Sequence, residues 1–529
     1  MWDYIIVGAG SAGCVLANRL SADPRNKVLL IEAGGSADAM RFNVPALGPR
    51  EALGKPDSDW MLFTEPDPSR KGRVDLFHRG KVLGGSSAVN GTIYVRGNRG
   101  DYDHWAQMGN LGWSYDSLLP YFRRMEGGTR DLPATYGRDG PLKLSRTRGP
   151  HALAHVFLEA MAELGVPRNP DYNGEDQLGA AITHVNQRRG WRWSAWRAYI
   201  APIANRPNLR IETGMLVRRV LIEQGRAIGV EVERDGETKI ESASGEVILS
   251  ASTFNSPKLL MLSGIGDPEH LRELGVEVIH ANANVGLNLQ EHPAVTVKAF
   301  VSVRTANMDF NLAGKIRHGL RYALFGSGPA SYVFPAVAFS RIDPASEYPD
   351  LQFHFGAFAT EITADGPKML DRPAIMIQPN VNRSRSRGFV RLRSADPRAA
   401  PSIQPNMLGD DHDLALLTKG VEFSRALLRT KAFAPFFQGE YKPGAQIADP
   451  SALEDYIRRN TVPCFHASGT ARMGIDPDAV VDPRLRLIGV GGLRVVDSSI
   501  IPQVPSGNVN AITMVIAEKA ADMILEDAH

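Results

Sequence analysis

Apolar positions along the chain change period early. Residues 3–7, Asp3-Tyr4-Ile5-Ile6-Val7, read as an almost wholly apolar strand, and residues 14–20 carry the helix-like stretch that follows. A second apolar run, Lys27-Val28-Leu29-Leu30-Ile31, stops at Glu32. From there to about residue 77 the chain is loop-rich, too long for a simple connection, and is expected to wrap the first domain. Residues 209–212, 216–223, 227–234 and 246–250 read as strands, separated by turn signals at Glu223-Gln224-Gly225-Arg226 and Arg234-Asp235-Gly236-Glu237. Between about 293 and 460 the pattern predicts a sheet covered by helices, including Gln352-Phe353-His354-Phe355 and an amphipathic helix over 411–429. The last element is a helix over 511–526 with Ile512, Ile516, Ala520, Met523 and Ile524 on its apolar positions and Asn510 as its N-cap.

Length and charge narrow this picture modestly. The 529 residues suffice for at least two cores. A formal net charge of +2 gives no reason to expect a nucleic-acid partner. The densest basic run, Arg383, Arg385, Arg387, Arg391 and Arg393, has a period of two and reads as the solvated face of an extended strand. Two cysteines, Cys14 and Cys464, make no disulfide framework and fit a reducing cytosol. No metal-ligand cluster is visible in the sequence. The first strand begins at residue 3, leaving no room for a signal peptide, and no run of about eighteen apolar residues marks a membrane span. The expectation is a soluble cytoplasmic protein, with membrane-surface association left open.

The chemistry starts at Gly8-Ala9-Gly10-Ser11-Ala12-Gly13, between the first strand and the first helix. Gly8 permits the tight turn, Gly10 lets backbone approach a pyrophosphate, and Gly13 lets the helix pack on the strand. Glu32, with Ala33 after it, lies about twenty residues on, where a carboxylate can accept both ribose hydroxyls and disfavours a 2′-phosphate. This predicts a dinucleotide without separating FAD from NAD. Further on, the segment from Arg79 through Val82, Gly84, Gly85 and Ser86 to Asn90 and Gly91 offers amides and hydroxyls to something polar and flat. Near the C terminus His466 sits in Phe465-His466-Ala467-Ser468-Gly469, and histidine's ordinary pKa of about 6.5 suits a proton acceptor at neutral pH. His292, beside a proline in a loop, reads as a hydrogen-bonded linker residue.

Taken together, these motifs resemble the glucose-methanol-choline family of FAD-dependent oxidoreductases over the whole chain. The resemblance implies an α/β fold: a Rossmann-like FAD-binding domain with an inserted β-meander (residues 1–157, 208–292 and 461–529) and an α+β substrate-binding domain (158–207 and 293–460). It implies that Val217 offers its backbone to adenine, that Ala251 begins the next cofactor-facing segment with Ser252 where the family often has glycine, and that Asp497 lies at the pyrophosphate and ribityl part of FAD. It puts the catalytic histidine on His466 and a second active-site residue on Asn510, followed by Ala511 at the flavin end of the last helix. Val89 stands where some members attach FAD through a histidine, so a non-covalent flavin is expected. Choline-oxidising members pair a glutamate with the trimethylammonium, whereas residues 332–337 here, Tyr332-Val333-Phe334-Pro335-Ala336-Val337, hold no carboxylate. Phe334, Phe355 and Phe465 are candidates for an apolar pocket. The expected activity is oxidation of a primary alcohol to an aldehyde, of aromatic or furan type, with the proton going to His466, hydride to flavin N5, and oxygen as acceptor. An aliphatic alcohol dehydrogenase using a quinone or another acceptor, and a hydroxynitrile lyase-like protein that keeps FAD without redox chemistry, are the alternatives.

Overall fold

The structure, a computed structural model, describes residues 1–309, 311–363 and 366–528. Its first sheet grows from the N-terminal strand Trp2–Val7, whose last four residues are buried and which pairs in parallel with Val28–Ile31 on one side and Glu237–Leu249 on the other. Leu209–Glu212 extends the sheet beyond Val28–Ile31, and Leu493–Val495 pairs in parallel with the end of Glu237–Leu249. That 13-residue strand serves two structures. Its exposed first half closes the antiparallel meander of Leu216–Glu223 and Arg226–Arg234, and its buried second half enters the parallel sheet. Both meander turns put two residues in the left-handed region, Gln224-Gly225 and Asp235-Gly236, as the tight hairpin turns that match strand twist require. The first helix, Ser11–Leu20, and the C-terminal helix, Asn510–Asp527, pack together over this sheet in one core with Ile6, Leu29, Ile248 and Val495.

The second sheet is antiparallel, in the order Phe437–Lys442, Val297–Val301, Ala374–Val381, Leu351–Gly356, Ala336–Ser340, Gly179–Ile182. Pro293–Ala294 and Val462–Pro463 pair with one another at its edge, where the chain crosses between the two sheets. One face is covered by the helices Ala152–Glu163 and Asp411–Leu427, with Phe157, Phe353, Phe355, Leu417 and Val421 buried between them. Pleating sends alternate residues to opposite faces, so Phe353 and Phe355 pack on this helical layer while Gln352 and His354 face the other way.

Three expectations shift here. Residue 157 lies inside the helix Ala152–Glu163, whose buried residues join the second core as one face, so the helix goes with the substrate sheet. The segment before residue 207 divides: Gly179–Ile182 joins that sheet, whereas Ala195, Ala198, Tyr199 and Ile200 are buried against the first helix. The alternating arginines form no continuous strand. Only Phe389–Arg391 is extended there, Arg383 pairs with Asp101, and Arg387 donates to Asn288 and to the Ser384 and Ser386 carbonyls. In this mostly irregular stretch Arg383 and Arg387 turn to internal partners, whereas Arg385, Arg391 and Arg393 are exposed.

Candidate active site

A cavity of about 560 Å³ runs between the two sheets, from Gly8, Glu32 and Val217 at one end to His466, Asn508 and Phe334 at the other. The glycine-rich end is built by local geometry. Gly8 has φ +101°, and a Cβ on it would lie 2.5 Å from the Ser250 carbonyl oxygen. A Cβ on Gly13 would lie 1.9 Å from the Gly8 oxygen, so Gly13 sets the approach of helix to strand and does not itself face the cavity. At Gly10 a Cβ would meet nothing within 4 Å. The first helix has no side-chain cap and no acidic residue in its first turn. Its leading amides are therefore open to an anion, which the helix dipole also favours.

Glu32 closes that end. It accepts from the amides of Ala9 at 3.0 Å and Gly34 at 2.8 Å, and burial pushes its carboxyl up to about 7 against those bonds. Ser11, Ala12, Ala33, Arg79, Gly85, Ser86, Val89, Asn90, Gly91, Val217 and Ala251 line the wall. Val82, Gly84 and Ala511 do not: the Gly84 amide donates to Ala9 and Val82 bridges to Gly35, so these two fasten the glycine-serine segment to the first turn and to the loop after the second strand. Asp497 also lines the cavity, accepting from the amides of Ser252 and Ser499 and from the hydroxyls of Ser256 and Ser499. Ser252 has φ +79°, the left-handed conformation glycine adopts without strain. The sequence signalled glycine there, and the backbone has kept the glycine geometry.

The other end is assembled from distant segments. Asn508 donates from Nδ2 to His466 Nε2 at 2.9 Å and accepts from Gln352 Nε2 at 3.2 Å. An amide nitrogen can only donate, so His466 Nε2 holds a lone pair and the ring proton sits on Nδ1. That nitrogen lies 3.0 Å from His292 Nδ1, which accepts it. The His292 and His466 rings meet edge to face at 5.1 Å. Burial is the main reason His466 is held well below the ordinary histidine range, reinforced by His292, His354 and Arg79. His292 and His354 are likewise pushed down to about 4 by burial. Three neutral imidazoles thus stand where the cavity ends.

Glu291 fixes the backbone behind them. Its Oε1 accepts from the amides of both His292 and His466 at 2.8 Å, and burial raises the carboxyl to about 7 against the pull of Arg79. Arg79 in turn donates to the Phe465 carbonyl at 3.1 Å. Phe465 has φ +64°, a left-handed backbone that a bulky residue rarely adopts, immediately before the candidate base.

Several predicted site residues are placed differently. The asparagine against His466 is Asn508. Asn510 lies at the first position of the C-terminal helix, where its Oδ1 accepts from the Ser11 hydroxyl at 2.7 Å, so it ties the two cofactor-side helices together. It is not the N-cap; Val509 is, without a side-chain bond. Phe334 and Phe465 line the cavity, but Phe355 stacks on Phe157 at 5.1 Å in the helical layer, the opposite strand face from His354. His292 is more than a linker residue, since it touches the base. His354, Gln378, Cys464 and Asn508 also line this end and were not singled out from sequence. The parity of residues 352–355 could have found His354.

Open phosphate-binding amides at one end and a neutral proton acceptor at the other meet where electrons leave a substrate for a bound dinucleotide, and the class defined is a dinucleotide-dependent oxidoreductase. The family profiles agree. GMC oxidoreductase matches as an N-terminal model over residues 2–294 and a C-terminal model over 384–517. The chain belongs to the GMC oxidoreductase family. It is 41% identical over 531 residues to a protein named oxygen-dependent choline dehydrogenase from Brucella canis, covering 99% of this chain and 95% of that one. A like-named protein of Sinorhizobium fredii is also 41% identical, with the same coverage. Among solved structures, pyridoxine 4-oxidase from Mesorbium loti matches with a TM-score of 0.90 and 30% identity over 100% of both chains. The protein is an FAD-dependent oxidoreductase acting on CH–OH donors.

The residues present fit FAD. Free amides of the first helix and Glu32 suit the adenosine diphosphate part. The hollow beside Gly10, which a side chain would fill, leaves room for it to pass toward His466. Among the described residues no group of three or more His, Cys, Asp or Glu side chains is arranged to hold a metal ion.

Proposed function

We propose that the protein oxidises a primary alcohol of aromatic or furan type to the aldehyde, passing electrons to oxygen, with His466 as the base and Asn508 orienting the alcohol oxygen. The observation that carries this reading is the lone pair on His466 Nε2, turned to the Asn508 amide at the cavity end. An alcohol hydroxyl placed between them would give its proton to Nε2 and accept from the amide. Losing that proton pushes electron density onto the carbinol carbon and eases departure of hydride. When bound, FAD supplies the acceptor for that hydride. His292 takes part by holding the Nδ1 proton in place, which keeps Nε2 basic, and burial keeps the imidazole neutral and ready.

Phe334 and Phe465 favour a flat apolar substrate. The name of the Brucella relative suggests choline as the alternative. Against it, the carboxylates on the cavity wall are Glu32 and Asp497, both toward the cofactor, and Glu291 is turned to the backbone amides of His292 and His466. A quaternary ammonium would find no counter-charge at the His466 end. Val89 is buried in the wall and offers no nucleophile to the flavin, which supports non-covalent FAD. The test is an anaerobic panel of benzylic, furanic, aliphatic and choline alcohols scored by bleaching of the flavin, followed by admission of air. Fast bleaching by the benzylic and furanic alcohols, slow bleaching by choline and reoxidation by air are expected. Preferential bleaching by choline would overturn the substrate assignment, and cyanohydrin cleavage with the flavin oxidised throughout would replace the redox reading.

A further inference from the structure

The helix Leu312–Phe325 is built inside out. Only Gly314 and Tyr322 are buried on it, whereas Leu312, Ile316, Leu320 and Leu324 are between 54% and 74% exposed. At 100° per residue, Leu312, Ile316, Leu320 and Leu324, with Ala313 and Ala323, fall within an arc of about 120° opposite the side that carries Gly314, His318 and Tyr322. An ordinary surface helix turns its apolar stripe inward. Here the stripe points straight out.

Charge frames the stripe. The helix sequence, Leu-Ala-Gly-Lys-Ile-Arg-His-Gly-Leu-Arg-Tyr-Ala-Leu-Phe, has Lys315, Arg317 and Arg321 on its flanks and no acidic residue. Asp309 engages Arg317 and His318. Beside the helix, Tyr322 meets Trp191 at 5.4 Å, and Arg148 donates to the Phe325 carbonyl. Arg188, Arg189 and Arg197 surround a surface hollow with Trp191 and Trp193. Among the described residues, none of Arg148, Arg188, Arg189, Arg197 and Arg321 forms an ion pair with a carboxylate. A single-sign cluster around an outward apolar stripe is the arrangement of a helix lying in a lipid interface, with tryptophan at headgroup depth.

We propose that this face docks the protein on an anionic phospholipid bilayer, with Leu312, Ile316, Leu320 and Leu324 entering the acyl boundary and the arginines meeting lipid phosphates. Among the described residues no helix is long and apolar enough to cross a membrane, so the attachment is to one surface. Residues 326–332 link this helix to Val333 and Phe334 on the cavity wall.

The test is co-sedimentation of the flavin-loaded protein with vesicles of phosphatidylcholine alone and of phosphatidylcholine mixed with phosphatidylglycerol, at low and high salt. The protein should pellet with the anionic vesicles and much less with the neutral ones. The double variant Ile316→Asp, Leu320→Asp should lose about tenfold or more of its vesicle partitioning, with unchanged flavin content and alcohol-driven flavin reduction in solution. The pair Arg188→Gln, Arg189→Gln should lose several-fold on anionic vesicles only. No pelleting above the vesicle-free control would overturn the proposal. So would a dimer, seen by light scattering, that the Ile316→Asp, Leu320→Asp variant dissolves while vesicles bind neither form, since the face would then cover a second copy.

Discussion

At the glycine-rich end of the cavity the chain presents amides to an anion and a carboxylate to hydroxyls, whereas at the far end it presents three imidazoles held neutral by burial. The first end holds a cofactor that stays, so charge complementarity and close backbone approach serve it. In the proposed mechanism the second takes a proton during the reaction, so a group already charged or already salt-bridged would be useless there. The difference also shows in construction: the phosphate-facing amides come from one strand, one turn and one helix, while the alcohol end needs residues 292, 354, 466 and 508 brought from four segments.

The largest expected effect separates packing from binding at the cofactor end. Gly13→Ala places a Cβ against the Gly8 carbonyl, backbone that cannot yield, and should cost on the order of 3 kcal/mol of stability, read by thermal unfolding, together with retained FAD. Gly10→Ala has open space before it and should leave the melting temperature near the parent's while lowering FAD retention. Similar melting losses in both would deny that Gly10 faces the cofactor. Next in size, Asn508→Ala should slow alcohol-dependent flavin reduction about a hundredfold. Asn510→Ala should act on FAD retention through the lost Ser11 bond and leave that step within about fivefold. The reverse ranking would return the orienting role to Asn510.

The smallest effect concerns acid. His292 and His354 have folded values near 4, below the ordinary histidine range of about 6.5. The unfolded chain therefore binds protons that the folded chain refuses between those limits, and the stability present above about pH 6.5 is lost as pH falls toward 4. Melting curves of His292→Gln should decline less steeply over that interval than the parent's. Parallel curves would mean that His292 is not held neutral.

Much of this was legible where the signal is local. Gly10 and Gly13 act within one strand-turn-helix unit, Glu32 follows the strand next to it and accepts from the Ala9 amide, and the meander strands carry their turns beside them. Asn508 and Asn510 are two residues apart; Asn508 turns toward His466, whereas Asn510 opens the helix and accepts from Ser11 at the other end of the chain, a contact that local spacing does not reveal. The same parity that hid His354 misplaced Phe355, because an apolar run gives the spacing of a strand without saying which face the helices cover. The arginine run shows the converse: a clean period of two of which only Phe389–Arg391 is strand.

The central claim is that a neutral His466 takes the alcohol proton. Stopped-flow reduction of the flavin in His466→Ala, mixed anaerobically with the best alcohol of the panel, tests it most directly. The account predicts retained FAD and reduction slowed on the order of a hundredfold or more. Reduction at the parent's rate would contradict it.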